Sequence, residues 1–328
     1  MATVKLSVGC GEYDRTRALF DGTIQAEGIE LDWTPVNVPH ELFVRVLNGE
    51  FDLAEMSMSG LTAGIARGSR ELVGIPVFTS KVFRHSFIFV NPASGIEVPQ
   101  DLVGRRVGVT DYTITASLWI RGLLEHDYGV APDQMHWYLG GLDDPGRLVP
   151  LGARLPPSVL IDQIPEGTSL TSLLIDGELD AIVSAGMPRL FTEGSPHIRR
   201  LFPNYQEVEA DYYRRTGIVP IMHVMVLRRA SYEREPRIAA TLFKAFDEAK
   251  QLCYRRLGET GAPRTTLVWL QAHLDAERAV FGPDFWPYGV EANRKSLEAL
   301  VTYSYEQGLS ERPVAVEELF APETLGLN

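Results

Sequence analysis

The spacing of apolar and polar positions divides the chain into alternating strands and helices. Short apolar or alternating runs predict strands at Val4–Val8, Ile29–Val36, Phe51–Met56 and Leu72–Val77. Between them, helical spacing covers Arg15–Gln25 and Glu41–Leu47, the latter stopping at Gly49. A second unit of the same kind follows. It has a strand at Arg106–Thr110, a helix over Ile114–His126 that ends at Gly129, and a strand at Met135–Leu139. A helix at Ser169–Ile175 and a strand at Ala181–Ser184 complete it. Asp111 or Thr113 can cap the helix that starts at Ile114. Alternation of this kind predicts mainly parallel sheet covered by helices, an α/β fold.

The halves share a short echo. Asn48-Gly49-Glu50-Phe51-Asp52 leads through a strand to Ser57, and Asp176-Gly177-Glu178-Leu179-Asp180 leads through another to Ser184. Two lobes of similar construction follow from it, each offering a serine where ligands of open α/β sheets bind. Phe83–Asn91 and Gly217–Arg228 are apolar and β-rich enough to be two continuous strands crossing between lobes as hinges. That places 1–88 and 224–328 in lobe 1 and 89–223 in lobe 2. Helical spacing at Ile238–Leu257, Thr265–Phe281 and Glu291–Gln307 gives lobe 1 its C-terminal helices, with Val314–Leu325 lying against a lobe.

Composition narrows the function classes. Hydrophobic residues make up 45% and charged residues 23%, which suits packed cores. The net charge of -12 and the absence of a basic stripe argue against nucleic acid. No run of about 18 apolar residues occurs, so no membrane partner is expected. The start lacks a leader pattern, which points to the cytoplasm. Cys10 and Cys253 form neither a disulfide framework nor a zinc pattern, and are expected reduced and structural. Walker loops, GxSxG, HExxH and CxxC are all missing, so no metal or cofactor is expected. A homo-oligomer stays open.

Candidate chemistry concentrates where strands end. Tyr112, Thr113 and Thr115 join a strand to a helix N-terminus, a position suited to a carboxylate, although plain capping explains it as well. Arg15 follows the first strand; Glu55, Ser57 and Ser59 occupy a later βα loop; Ser184 and Arg189 follow the strand of the second half. Arg121, four residues before Glu125, reads as a surface ion pair. Arg84 and its neighbour His85 lie on one crossing and His223 on the other, and strand alternation sends Arg84 and His85 to opposite faces. The histidines are candidate proton carriers, or else buried donors with no catalytic part.

Several stretches carry a resemblance across nearly the whole chain. They include EFDLAEMSMS at 50–59, IPVFTSKVFRHSFIFVN at 75–91, GELDAIVSA at 177–185, RTGIVPIMHVMVLRR at 215–229 and DFWPYGVEANRKSLEAL at 284–300. In these the sequence resembles the 4,5-dihydroxyphthalate decarboxylase family, which implies a two-lobed type II periplasmic-binding-protein-like fold. Thr79 and Val219 depart from that pattern, which has proline and phenylalanine there. The resemblance implies cofactor-independent decarboxylation of a hydroxylated aromatic carboxylic acid, with a small aromatic carboxylate as the partner. The fold alone also suits a solute-binding protein that holds an organic anion without turnover, or another reaction on the same scaffold.

Overall fold

The computed structural model describes residues 3–146, 157 and 159–328. The chain enters a first sheet through β1 (Val4–Cys10), β2 (Ile29–Pro35), β3 (Leu53–Ser57) and β4 (Leu72–Lys81). It crosses to a second sheet made of β5 (Ile88–Val90), β6 (Arg106–Val109), β7 (His136–Leu139), β8 (Ile161–Gln163), β9 (Ala181–Val183) and β10 (Arg199–Arg200). It then returns to the first sheet as β11 (Ile221–Arg228). The orders are β2-β1-β3-β11-β4 and β10-β5-β9-β6-β7-β8. Within each sheet the βα-linked strands pair in parallel, while β11 runs antiparallel to β3 and β4, and β5 antiparallel to β9 and β10.

The connecting helices are α1 (Arg17–Phe20), α2 (Pro39–Leu47), α3 (Met58–Ala66), α4 (Thr115–Tyr128), α5 (Leu170–Ile175), α6 (Arg189–Thr192) and α7 (Tyr205–Thr216). After β11 come α8 (Arg229–Arg234), α9 (Ile238–Leu257), α10 (Leu270–Phe281) and α11 (Arg294–Glu306). The tail reaches back to the first sheet, where Phe320 bridges to Gly74. Gly122 of α4 sits directly under the Tyr303 ring of α11, so a side chain there would strike that ring.

The echo is structural. Gly49 and Gly177 end α2 and α5 with φ of 78° and 74°, a left-handed turn that only glycine adopts without strain. Asp52 then accepts the Ser7 N–H of β1 at 3.1 Å, and Asp180 accepts the Arg106 N–H of β6 at 2.9 Å. Each acid thus pins the strand before the serine-bearing turn to its parallel neighbour.

The crossings differ from continuous strands. After Lys81 the first breaks, takes a tight turn at His85–Phe87 and resumes as the short β5. Between the sheets there is no ladder to join. The Phe87 N–H bonds to the Arg84 carbonyl and the Ser86 N–H to the Glu209 carboxylate instead. The second is strand only from Ile221, because Gly217 closes α7 at φ 70° and Pro220 has no N–H to give. The two crossings touch where Val82 N–H donates to the Pro220 carbonyl at 3.0 Å.

Other differences are local. Helix α1 is shorter than its spacing suggests, because Asp21 takes the Thr23 N–H and Gly22 turns left-handed. Ile114, not Asp111 or Thr113, stands at the N-cap of α4; the Asp111 carboxylate is bonded to the Thr113 N–H and hydroxyl. Helix α3, almost wholly buried, has no polar face to give it a helical period. Cys10 and Cys253 are buried and unbridged.

Candidate functional site

The strand register brings together groups that lie far apart in sequence. β1 is parallel to β3, with Gly9 beside Ala54, so Cys10 falls next to Glu55. β11 is antiparallel to β3, with His223 opposite Ser57 and Met225 opposite Glu55. Partners across a ladder share a face, so Glu55, Ser57 and His223 project to the same side.

Glu55 is the centre of this face. Its carboxylate is 1% exposed and 2.6 Å from Nδ1 of His223. The Tyr13 hydroxyl donates to the same oxygen at 2.7 Å, and the Gly11 N–H to the other at 3.2 Å. Burial alone would push Glu55 up. The hydrogen bond and charge of His223, with Tyr13 and Gly11, outweigh it and hold the group at about 2. Burial, together with this carboxylate, pushes the Tyr13 phenol and the Cys10 thiol upward, so both stay protonated.

An ionised carboxylate only accepts, so Nδ1 of His223 carries the proton. Its Nε2 makes no hydrogen bond among the described residues, and the side chain keeps 16% exposure. Phe43 packs against the imidazole with ring centroids 5.0 Å apart. The ring is therefore oriented on one side and open on the other, the geometry of a general acid or base.

Arg15 braces this corner. Its guanidinium lies 4.3 Å from the Tyr13 ring centre and 4.2 Å from that of Trp286, and donates to the Thr79 carbonyl. That carbonyl is available because β4 bulges between Ile75 and Ser80 while β11 advances only from Met225 to His223.

The turn after β3 meets the turn after β6. Ser57 Oγ is 2.9 Å from Thr115 Oγ1 and 3.1 Å from Ser59 Oγ. Ser59 donates its N–H to Thr115 Oγ1 and its hydroxyl to the Thr113 carbonyl. These hydroxyls clasp the N-termini of α3 and α4, one helix from each sheet. Arg84 stands at the first crossing, 5% exposed. It donates to the Ala185 carbonyl just past Ser184 at 3.2 Å and makes no ion pair among the described residues. Burial lowers it to about 10, still a cation at neutral pH. Ser184 itself accepts the Gly186 N–H at 3.1 Å.

The remaining sequence candidates sit apart from the Glu55–His223 pair. His85 is 1% exposed inside a cage of Tyr128, Phe202 and Tyr212, and neither ring nitrogen has a hydrogen-bond partner. Burial brings it down to about 4, so it is neutral. Tyr112 points into the second sheet's core, its hydroxyl without a partner and the Arg121 guanidinium 3.5 Å from its ring centre. Arg121 corrects the surface reading. It is 0% exposed and donates to Gln307 at 2.9 Å, because its side of α4 packs on α11. Arg189 is exposed, and its backbone N–H caps onto Asp143. Sequence reasoning missed Tyr13 and Gly11 as partners of Glu55, since only the β1–β3 register brings them together. Among the described residues, no three His, Cys, Asp or Glu side chains converge to hold a metal ion.

No family model matches the chain. Among curated proteins it is 36% identical over 329 residues to a 4,5-dihydroxyphthalate decarboxylase of Comamonas testosteroni, covering 99% of this chain and 98% of that one. It is 35% identical over 215 residues to the enzyme of that name from Pseudomonas putida, covering 65% and 83%. Among solved structures, the periplasmic aliphatic sulphonate binding protein SsuA of Escherichia coli aligns with a TM-score of 0.56 at 14% identity, covering 98% of this chain and 99% of that one. The alkanesulfonate-binding protein SsuA of Xanthomonas axonopodis, bound to MOPS, aligns at 0.51 and 13%, covering 98% of each. These likenesses establish the periplasmic-binding-protein fold.

Proposed function

The chain belongs to the 4,5-dihydroxyphthalate decarboxylase family, and from that premise we propose that it releases CO2 from a hydroxylated aromatic carboxylic acid, 4,5-dihydroxyphthalate being the substrate of first choice. The observation that carries the reading is the buried Glu55 carboxylate on Nδ1 of His223, which leaves Nε2 as an oriented proton carrier.

The chemistry follows from the substrate. Each carboxylate of 4,5-dihydroxyphthalate is para to a hydroxyl. Loss of the hydroxyl proton pushes an electron pair toward the ring carbon that bears the carboxylate. Protonation of that carbon makes it tetrahedral. The C–CO2 bond then breaks, its electron pair restores the aromatic ring, and CO2 departs. The hydroxyl proton passes to water at the start and the phenolate regains one from water after CO2 leaves, so net one proton replaces one CO2. His223 delivers that proton from Nε2, and Glu55 stabilises the imidazolium and fixes its orientation. Arg84, a nearly buried cation that forms no ion pair among the described residues, pairs with the carboxylate that stays.

A solute-binding role without turnover rests on the same fold, and one experiment separates the two. CO2 release is measured with 4,5-dihydroxyphthalate and a panel of hydroxybenzoates, for the wild type and His223→Asn. The enzyme reading expects turnover in the wild type and a loss of about a hundredfold or more in the variant with the ligand still bound. Binding without CO2 release from any of these acids refutes it.

A further inference from the structure

A cavity of 460 Å³ opens between α7, α10 and the two crossings. That volume is within the range that takes a monocyclic ligand. Its walls are aromatic: Phe83 and Phe281 stack with ring centroids 5.9 Å apart, and Phe285 and Trp286 close another side.

One wall carries Lys81, only 6% exposed. Its ammonium spends one of three N–H donors on Asn293 Oδ1 at 2.8 Å and forms no ion pair among the described residues. Asn293 is itself fixed, since its amide donates to the carbonyls of Pro287 and Gly289. Asp284, an opposing charge that acts on Lys81, is already bonded to Lys250 and Tyr254. A buried ammonium with two unspent donors beside a cavity is costly unless something else completes it. Burial, against the pull of Asp284 and with the push of Lys250, brings Lys81 down to about 7. An arriving anion would restore its charge. At the rim, exposed Arg214 adds a second cation that has no partner among the described residues.

Acids line the cavity too, and among the described residues none forms an ion pair with Lys81 or Arg214. Glu209 accepts the Ser86 N–H, and burial pushes it toward the protonated form. Burial raises Glu277 in the same sense. Glu207 is exposed at the mouth.

We propose that this cavity binds a planar aromatic carboxylate, its ring between the Phe83–Phe281 and Trp286 walls and its carboxylate on Lys81, with Arg214 at the entrance. Trp286 connects the cavity by contact to the Glu55–His223 pair, because its ring also carries Arg15, which stacks on Tyr13, which bonds to Glu55. The inference does not depend on turnover, since a protein that only captured the ligand would use the same cavity.

Phthalate is the probe. It has the ring and carboxylates but no hydroxyl, so the reaction proposed above cannot consume it. Calorimetric titration with phthalate is run on the full chain for the wild type, Lys81→Met, Val219→Trp, Arg214→Gln and His223→Asn. Val219 lines the cavity, so tryptophan there fills it. The expected result is two sites in the wild type: one that Lys81→Met weakens at least tenfold and Val219→Trp abolishes, and one at Arg84 that both variants keep. Arg214→Gln should weaken the first site a few-fold, and His223→Asn should match the wild type. Circular dichroism melts identify any variant that fails to fold, and Arg214→Gln, at an exposed position, keeps the test alive if a buried variant does fail. Wild-type-like affinity in both Lys81→Met and Val219→Trp overturns the proposal, as does a wild type that ignores millimolar phthalate. Phthalate binding that depends on Lys81, without CO2 release from any hydroxyphthalate, refutes the decarboxylase reading and leaves this one standing.

Discussion

Glu55→Gln is the perturbation with the clearest magnitude. The carboxylate sits among donors only: Nδ1–H of His223 and the Tyr13 hydroxyl on one oxygen, the Gly11 N–H on the other. Glutamine supplies one acceptor where two are needed. If its carbonyl faces His223 and Tyr13, its NH2 meets the Gly11 N–H, donor against donor. Two routes give the cost. The shift of Glu55 from 4.5 to about 2 corresponds to about 3 kcal/mol of preferential interaction with the ionised form. Breaking a buried pair from one side costs about 3–5 kcal/mol in general. Chemical denaturation at pH 7 should therefore show Glu55→Gln less stable by about 3 kcal/mol. In a double-mutant cycle with His223→Asn, the paired variant should fall short of the sum by about 1–3 kcal/mol. The pH dependence has a definite sign. The folded-state value is depressed, so between 4.5 and about 2 the unfolded chain binds more protons than the folded one. The stabilisation is complete above pH 4.5 and is lost as pH falls through about 2. Glu55→Gln should lack this part of the acid titration. An equal denaturation midpoint at pH 7, or strictly additive single variants, would show that the pair does not hold the carboxylate.

Two further outcomes distinguish the roles assigned here. His85→Phe should leave stability unchanged or raise it, and should leave CO2 release intact, because it replaces two ring nitrogens that make no hydrogen bond inside an aromatic cage and only a 4.0 Å contact with Glu209; a hundredfold loss of activity at unchanged melting temperature would restore His85 to the reaction. Arg84→Met should hold or raise the melting temperature, since it removes a buried cation that forms no ion pair among the described residues and is offset only by the charge of Glu209, while weakening hydroxyaryl-carboxylate binding by about tenfold to a hundredfold; unchanged affinity by calorimetry would place the anion elsewhere.

Local patterns were enough to give the layered α/β architecture, because apolar periodicity and glycine stops are local. Ile238–Leu257 is a helix over the residues its spacing marks, and Gly49, Gly129 and Gly177 turn left-handed where helices end. The Asn-Gly-Glu and Asp-Gly-Glu echo was legible too, since each half repeats the same turn and the same strand-pinning acid. Ser57 and His223 could be singled out as strand-end and crossing residues. That Glu55 joins His223 could not, because the partnership depends on which strand lies between which. β11 inserts between β3 and β4 from 164 residues' distance between Ser57 and Ile221, and no local pattern encodes that register. The break at His85 was hidden for a related reason. Its residues are strand formers, but between two sheets there is no neighbouring strand, so the backbone turns on itself. Arg121 and Lys81 make the same point for charge. In sequence Arg121 reads as a surface ion pair and nothing singles out Lys81; only the packing of α4 on α11 and the closing of the C-terminal segment over β4 strip the water from them. Periodicity is a property of neighbours along the chain. Desolvation is a property of neighbours in space, and it is what makes a carboxylate, an imidazole or an ammonium unusual.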